Sequence, residues 1–140
     1  MSRRRPSWYP RRTEIFSSFP FPIWLFDMHE TLTTISADAL KDALESDRPP
    51  ILINTLPRAA HEAKHIPGSI NVPTDDMEKV EAFVPNADAP IVVYCANADC
   101  TASATAAQKL EEMGYTNVID FEDGYAGWRR AGYPLVGTKA

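Results

Sequence analysis

The chain has 140 residues, 44% of them hydrophobic and 24% charged, which is enough for one globular domain with a buried core and leaves little room for a second. Its formal net charge of -5 argues against nucleic acid as the main partner, because phosphate binding requires a basic face. The chain has only two cysteines and no convincing export signal, so we expect thiol chemistry in a reducing, cytoplasmic compartment.

The first 30 residues differ in composition from the rest. Five arginines lie among prolines and aromatic residues, namely Arg3, Arg4, Arg5, Arg11 and Arg12. This composition predicts a disordered N-terminal arm over residues 1–30, followed by a folded domain over residues 31–140. The apolar stretch Ile15–Phe26 is interrupted by Pro20 and Pro22 and lacks a small-residue cleavage site, so we expect neither a signal peptide nor association with a membrane.

Helical periodicity recurs along the domain. Ser36 precedes a repeat of leucines at helical spacing and is a predicted N-cap, and this helix is expected to end near Asp47. Further helices are predicted just after Pro57, over Asp75–Phe83, over Ala102–Met113 and over Tyr125–Ala131.

Short apolar runs separate these helices. The predicted strands are Ile51–Asn54, Ser69–Val72, Pro90–Cys95 and Asn117–Phe121. Strands that alternate with helices predict an α/β domain with a parallel sheet covered by helices on both faces.

Cys95 ends the strongest of the predicted strands. Ligand sites in open parallel sheets lie beyond the carboxyl ends of the strands, and here a polar loop leads directly into a helix N-terminus. The free N–H groups of that terminus favour a thiolate, which would activate Cys95 as a nucleophile without a general base. Position alone leaves open a second interpretation, in which Cys95 is a small apolar residue that closes a buried strand.

Several separated motifs occur in a fixed order along the domain. They are His65-Ile66-Pro67-Gly68-Ser69-Ile70-Asn71-Val72-Pro73, Val92-Val93-Tyr94-Cys95, Gly114-Tyr115-Thr116-Asn117-Val118, and Gly124 with Trp128. In this order and spacing they resemble the rhodanese (sulfurtransferase) homology domain, from about Ile35 to Leu135. We assign Tyr94, Tyr115 and Trp128 to core packing.

The resemblance implies a rhodanese-like α/β fold with about five parallel strands flanked by helices. It implies that Cys95 is catalytic, taking sulfane sulfur from a small-molecule or protein donor as a persulfide and passing it to a thiol or another thiophilic acceptor. The amides of the following loop would cradle the sulfur, and its residues are Ala96, Asn97, Ala98, Asp99, Cys100 and Thr101. We expect no cofactor, no metal, and a monomer.

The chain departs from the family pattern at several positions. Family members that use thiosulfate often carry arginines where this loop has Ala96 and Cys100, and Asp99 adds a negative charge. Because thiosulfate is a dianion, we expect weak activity with it. Family sequences also tend to have aspartate and arginine where this chain has Asn54 and Leu56. Phosphatase relatives need an arginine six positions after the cysteine, where Thr101 stands, so we set phosphatase activity aside.

Cys100 has two interpretations, as a small loop residue or as a resolving thiol that attacks the persulfide on Cys95. If the two thiols act alone, the protein is a thiol-disulfide redox protein. A non-catalytic rhodanese-like interaction module is a third alternative.

Two metal sites are weaker alternatives. His61-Glu62-Ala63-Lys64-His65 matches the H-E-x-x-H pattern of zinc proteases, but Pro67 ends the helix at once. We expect His65 to bond backbone near the turn instead. The cysteines together with these histidines could also bind zinc, although their spacing is unusual.

Overall fold

The computed structural model describes residues 5–10 and 32–140. Five strands form one sheet in which every pair is parallel, in the order β1-β5-β4-β2-β3. The strands are β1 (Thr33–Thr34), β2 (Ile51–Asn54), β3 (Ile70–Asn71), β4 (Ile91–Tyr94) and β5 (Val118–Phe121). The strand β4 therefore lies in the middle of the sheet, and the site that follows it is supported on both sides.

Three α-helices connect strands, and a fourth follows β5. They are α1 (Ala37–Leu44), α2 (Arg58–Ala63), α3 (Ala102–Glu112) and α4 (Gly124–Arg130). The predicted cap of α1 is confirmed, because the Ser36 Oγ atom accepts a hydrogen bond of 3.1 Å from the Ala39 N–H group. The helix α1 ends at Leu44, three residues before the predicted end near Asp47.

The segment Thr74–Ala82 is a 3₁₀ helix and not the predicted α-helix. Asp76 interrupts it with φ of -109° and ψ of 18°, and Pro73 at its start offers no side-chain cap. Short polar side chains such as Asp75 and Asp76 compete for backbone hydrogen bonds, which disfavours a regular α-helix at this point.

Both faces of the sheet carry a hydrophobic core. One core lies between the sheet, α3 and the 3₁₀ segment, and its largest buried members include Ile53, Met77, Ile91 and Leu110. The other core lies on the opposite face, with Leu40, Tyr94, Phe121 and Trp128 among its members. The fold is thus the predicted rhodanese-like α/β architecture, with packing on both faces of a parallel sheet.

Residues 5–10 contact the domain, which the prediction of a disordered arm did not anticipate. Pro6 is buried, Trp8 and Tyr9 pack against the core that contains Trp128, and the Trp8 Nε1 atom donates to the Arg48 carbonyl oxygen at 2.9 Å. Residues 1–4 and 11–30 of the predicted arm, including Ile15–Phe26, lie outside the described residues. Within the described part of the chain, no helix is long and apolar enough to cross a membrane.

Candidate active site at the end of strand β4

Cys95 follows the last residue of β4, and its side chain is fully buried. The start of its loop is held by α4, because the Tyr125 N–H group donates to the Cys95 carbonyl oxygen and the Ala126 N–H group donates to that of Ala96, both at 3.0 Å. Gly124 allows this approach. Its φ is +64°, and a Cβ atom there would lie 2.5 Å from the Cys95 carbonyl oxygen.

The Cys95 thiol faces polar groups of its own loop and of α3. Its Sγ atom lies 3.3 Å from the Cys100 carbonyl oxygen and 3.5 Å from the Ser103 Oγ atom. Burial raises the pKa of Cys95, the Cys100 side chain raises it further, and hydrogen bonds from the Ser103 side chain and N–H group oppose this. The expectation of a favoured thiolate at Cys95 is therefore wrong for the reduced protein, because desolvation outweighs the donors from the helix N-terminus.

Cys100 has the opposite shift. Burial raises its pKa, but hydrogen bonds from the Cys95 side chain and from the Ala102 and Ala96 amides together bring the pKa below its ordinary value. Cys100 is also only partly buried, and both cysteines are free thiols. Cys100 is therefore the more acidic and more accessible of two thiols that shift each other's pKa.

The loop amides are divided between several acceptors. The Cys100 N–H group donates to the Asn97 carbonyl oxygen at 3.1 Å, and the Asp99 N–H group donates to the Asn97 Oδ1 atom at 3.0 Å. The Ala96 amide donates to the Cys100 sulfur. The predicted cradle loop thus surrounds both thiols, but three of its amides already have acceptors other than Cys95.

Asp120 is a neighbour of this site that the sequence analysis missed. It lies on β5 in register with Val93, and its side chain is only 3% exposed. Burial raises its pKa to about 6, the Ser103 side chain lowers it by hydrogen bonding, and Glu122 raises it. The sequence signal that could have identified Asp120 is its position as a carboxylate within the otherwise apolar strand Val118–Phe121.

Asn54, one of the departures from the family pattern, hydrogen-bonds Tyr94, the residue that precedes Cys95. Its Nδ2 atom donates to the Tyr94 hydroxyl at 3.1 Å, and its Oδ1 atom accepts from the Leu56 N–H group at 2.9 Å. The Tyr94 hydroxyl also accepts from the Ile66 N–H group at 3.0 Å and contacts the Ser69 hydroxyl at 2.7 Å. Tyr94 is fully buried, as predicted, and ties β4 to the His-Ile-Pro-Gly segment.

The H-E-x-x-H segment does not form the helical arrangement of zinc proteases. The helix α2 ends at Ala63, so it contains His61 but not His65, and the two imidazole rings stack at 3.8 Å. The predicted backbone role of His65 is confirmed by a 2.6 Å contact between its Nδ1 atom and the His61 carbonyl oxygen. In residues 5–10 and 32–140, no three His, Cys, Asp or Glu side chains are grouped to hold a metal ion.

Comparison with known proteins agrees with this geometry. The rhodanese-like domain model matches residues 36–131. The chain is 33% identical over 84 residues to the HTH-type transcriptional regulator Rv0324 of Mycobacterium tuberculosis, which covers 60% of this chain and 36% of the regulator. It is 23% identical over 119 residues to the adenylyltransferase and sulfurtransferase uba4 of Ogataea parapolymorpha, covering 85% of this chain and 30% of that protein. The chain thus spans about a third of the length of these relatives.

Solved structures share the fold. The rhodanese-like domain of the Anabaena protein Alr3790 has a TM-score of 0.67 at 24% identity, covering 76% of this chain and 80% of that one. The human single-domain sulfurtransferase TSTD1 has a TM-score of 0.62 at 24% identity, covering 69% of this chain and 95% of that one. Since the family model spans most of the sequence and the sheet has the same architecture, the chain belongs to the rhodanese-like domain family.

Proposed function

We propose that this protein is a sulfurtransferase that carries sulfane sulfur as a persulfide on Cys95 and passes it to an acceptor thiol. One observation carries the proposal. Cys95 lies at the carboxyl end of the central strand, where its thiol contacts the loop at the Cys100 carbonyl oxygen and the first turn of α3 at the Ser103 hydroxyl. Sites at this edge of a parallel sheet are where backbone donors converge on a ligand.

The transfer requires two displacement steps. The Cys95 thiolate attacks the sulfane sulfur of the donor, a sulfur–sulfur bond forms, and the donor fragment leaves with the electron pair of the broken bond. An acceptor thiolate then attacks the outer sulfur, and Cys95 leaves again as a thiolate. The net reaction moves one sulfur atom and leaves the protein unchanged.

Cys100 provides a second reaction for the Cys95 persulfide. Its thiolate attacks the inner sulfur of the Cys95 persulfide, which releases hydrosulfide and leaves a disulfide between the two cysteines. The two thiols are oxidised while the outer sulfur is reduced to sulfide, and a thiol reductant restores the starting state. The lowered pKa of Cys100 supports this role, because a resolving thiol must be ionised near neutral pH.

A thiol-disulfide redox protein is the second candidate. The opposite pKa shifts of the two thiols, each of which acts on the other, favour it, because an acidic thiol paired with a buried one is the arrangement of many redox pairs. This alternative requires no sulfur donor. A protein of this class forms its disulfide with an oxidant alone and releases no sulfide.

A single-turnover transfer assay separates the two candidates. The full chain is loaded with a sulfane-sulfur donor carrying isotopic sulfur, freed of donor, and mixed with an acceptor thiol. We expect labelled sulfur on the acceptor from the wild-type chain and from the Cys100→Ser variant, and none from Cys95→Ser. Disulfide formation with no labelled sulfur on the protein or on the acceptor would favour the redox candidate.

A further inference from the structure

Asp120 is a buried carboxyl group on the sheet face that carries Cys95. The register pairs Val93 of β4 with Asp120 of β5, and side chains alternate along a strand, so Val93, Cys95 and Asp120 share one face. Asp120 is 3% exposed. Within residues 5–10 and 32–140, its Oδ1 atom has no hydrogen-bond partner, which is unusual for a buried carboxylate oxygen.

Ser103 connects this carboxyl group to the thiol. It is the second residue of α3 and is 1% exposed, and its Oγ atom lies 3.5 Å from the Cys95 Sγ atom. Its side chain also acts on Asp120, lowering the pKa of that carboxyl group by hydrogen bonding. A serine hydroxyl has one proton to donate and two lone pairs, so it can donate either to the carboxylate or to a thiolate, but not to both at once.

The surroundings favour a single negative charge in this space. The neighbouring strands place the uncharged residues Val93 and Thr34 in register with Asp120. The titratable groups that act on the pair are acidic or thiol groups: Glu122, just after β5, raises the Asp120 pKa, and Cys100 raises the Cys95 pKa. A Cys95 thiolate beside an ionised Asp120 would bury two anions side by side, which is strongly unfavourable.

We propose that Asp120 is a positioning residue that shares one proton with Cys95 through the Ser103 hydroxyl, so that either the carboxylate or the sulfur is negative. This inference rests on the proposed role of Cys95 as the reactive thiol. In the transfer, the S–H bond breaks and its proton passes to the Ser103 oxygen, while the proton of Ser103 passes to Asp120. The total charge is unchanged, and nothing is oxidised or reduced. When a persulfide forms, its outer sulfur carries the charge and Asp120 keeps the proton.

The arrangement makes a specific prediction for pH dependence. Asp120 ionises near pH 6, and above that pH its charge opposes direct loss of the Cys95 proton. The fraction of molecules in which Asp120 holds the proton and Cys95 is a thiolate does not change with pH near neutrality, because moving a proton within the pair releases none to solvent. The reaction rate of Cys95 should therefore stay constant there. Asp120→Asn removes the opposing charge, so the thiolate population then rises tenfold per pH unit. At pH 7 this variant should react about tenfold faster.

The test uses the full chain with Cys100→Ser, so that Cys95 is the only thiol. The rate of iodoacetamide labelling is measured from about pH 5 to about pH 9, a range that spans the ordinary pKa values of both groups. We expect a flat profile above about pH 6 in this background and a steady rise after Asp120→Asn. Glu111→Gln, which neutralises an exposed carboxylate on α3, serves as the control and should keep the flat profile.

A second variant and a second readout guard against misfolding and restricted access. Ser103→Ala removes a hydrogen bond that lowers the Asp120 pKa, so the flat region should begin at higher pH. Thiolate ultraviolet absorbance, measured against Cys95→Ser, requires no reagent and should show a lower apparent Cys95 pKa after Asp120→Asn. Identical profiles and identical thiolate titrations with and without Asp120 would overturn the inference. Persulfide loading is measured separately, so a failure of the proposed function remains distinguishable.

Discussion

The two cysteines occupy different environments, and the roles that we propose for them follow from this difference. Cys95 is fully buried and its pKa is raised, whereas Cys100 is partly exposed and its pKa is lowered. A persulfide is more acidic than a thiol, so loading of Cys95 would place a negative charge on the outer sulfur near neutral pH. The buried thiol is suited to hold sulfur, and the acidic thiol is suited to attack it.

Replacement of Cys100 tests this division of roles. With Cys100→Ser, the persulfide on Cys95 should still form, should last longer and should release less sulfide, because the serine hydroxyl is a far weaker nucleophile near neutral pH. Persulfide lifetime by intact mass and sulfide release by a trapping assay measure the effect. Equal lifetimes in the wild-type and variant chains would reduce Cys100 to a packing residue of the loop.

Thiosulfate should be a poor donor for the wild-type chain. The loop offers backbone dipoles, but it has Ala96 and Cys100 where arginines often grip the dianion, and Asp99 repels it. Ala96→Arg should raise thiosulfate turnover by about tenfold, since a charge-assisted hydrogen bond contributes roughly 1.5 to 3 kcal/mol. Steady-state sulfur transfer to cyanide measures this. Ala96→Gln, long and polar but neutral, is the control, and an equal gain from it would exclude charge as the missing factor.

At the scale of elements, the site depends on the junction between β4, its loop and α4. Gly124→Ala places a methyl group 2.5 Å from the Cys95 carbonyl oxygen in a backbone conformation with φ of +64°. Gly132→Ala is a matched control, because Gly132 has φ of +97° but nothing within 4 Å of the added carbon. We expect the control to lose about 1 to 2 kcal/mol of unfolding free energy from backbone strain alone.

Gly124→Ala should lose more, about 3 kcal/mol or above, and should also slow sulfur loading of Cys95 because the loop must shift. Urea unfolding and loading rates measure both effects. Equal losses in the two variants, with unchanged loading, would show that the close contact does not position the loop.

The elements also show what sequence patterns can and cannot predict. The strong apolar runs of β2 and β4, and the amphipathic α3, were predicted nearly to their ends. The strand β1 was not predicted, because Thr33–Thr34 is only two residues long and carries no periodic signal. Cys95 was a candidate from its strand-end position and was selected by the family motifs around it, whereas Asp120 required the pairing register between β4 and β5, which no local pattern contains. The direction of the Cys95 pKa shift depends on its burial, which only the packed structure gives.

At the scale of the whole molecule, the sheet is packed on both faces, so a negative charge on the buried Asp120 lowers the free energy of unfolding. The pKa of Asp120 is 3.8 in its ordinary state and about 6 in the fold, so the folded state favours the protonated form. The contribution of this pKa shift to the free energy of unfolding is fully present below about pH 3.8 and is lost as the pH rises through about 6.

Asp120→Asn should therefore stabilise the protein at pH 8 by up to about 2 to 3 kcal/mol, since each pKa unit is worth about 1.4 kcal/mol. The gain should disappear near pH 4, where the wild-type carboxyl is protonated in the fold. Urea unfolding at both pH values measures the difference. A variant that is less stable than the wild-type chain at pH 8 would show that Asp120 contributes structural hydrogen bonds that outweigh its burial.

Intact mass after incubation with sulfane-sulfur donors tests most directly whether Cys95 carries sulfur. The wild-type chain should gain the mass of one sulfur atom, fragment ions should place it on Cys95, and a thiol should remove it. The Cys95→Ser variant should gain none. Sulfur on Cys100 in that variant, at the extent seen in the wild-type chain, would contradict the account.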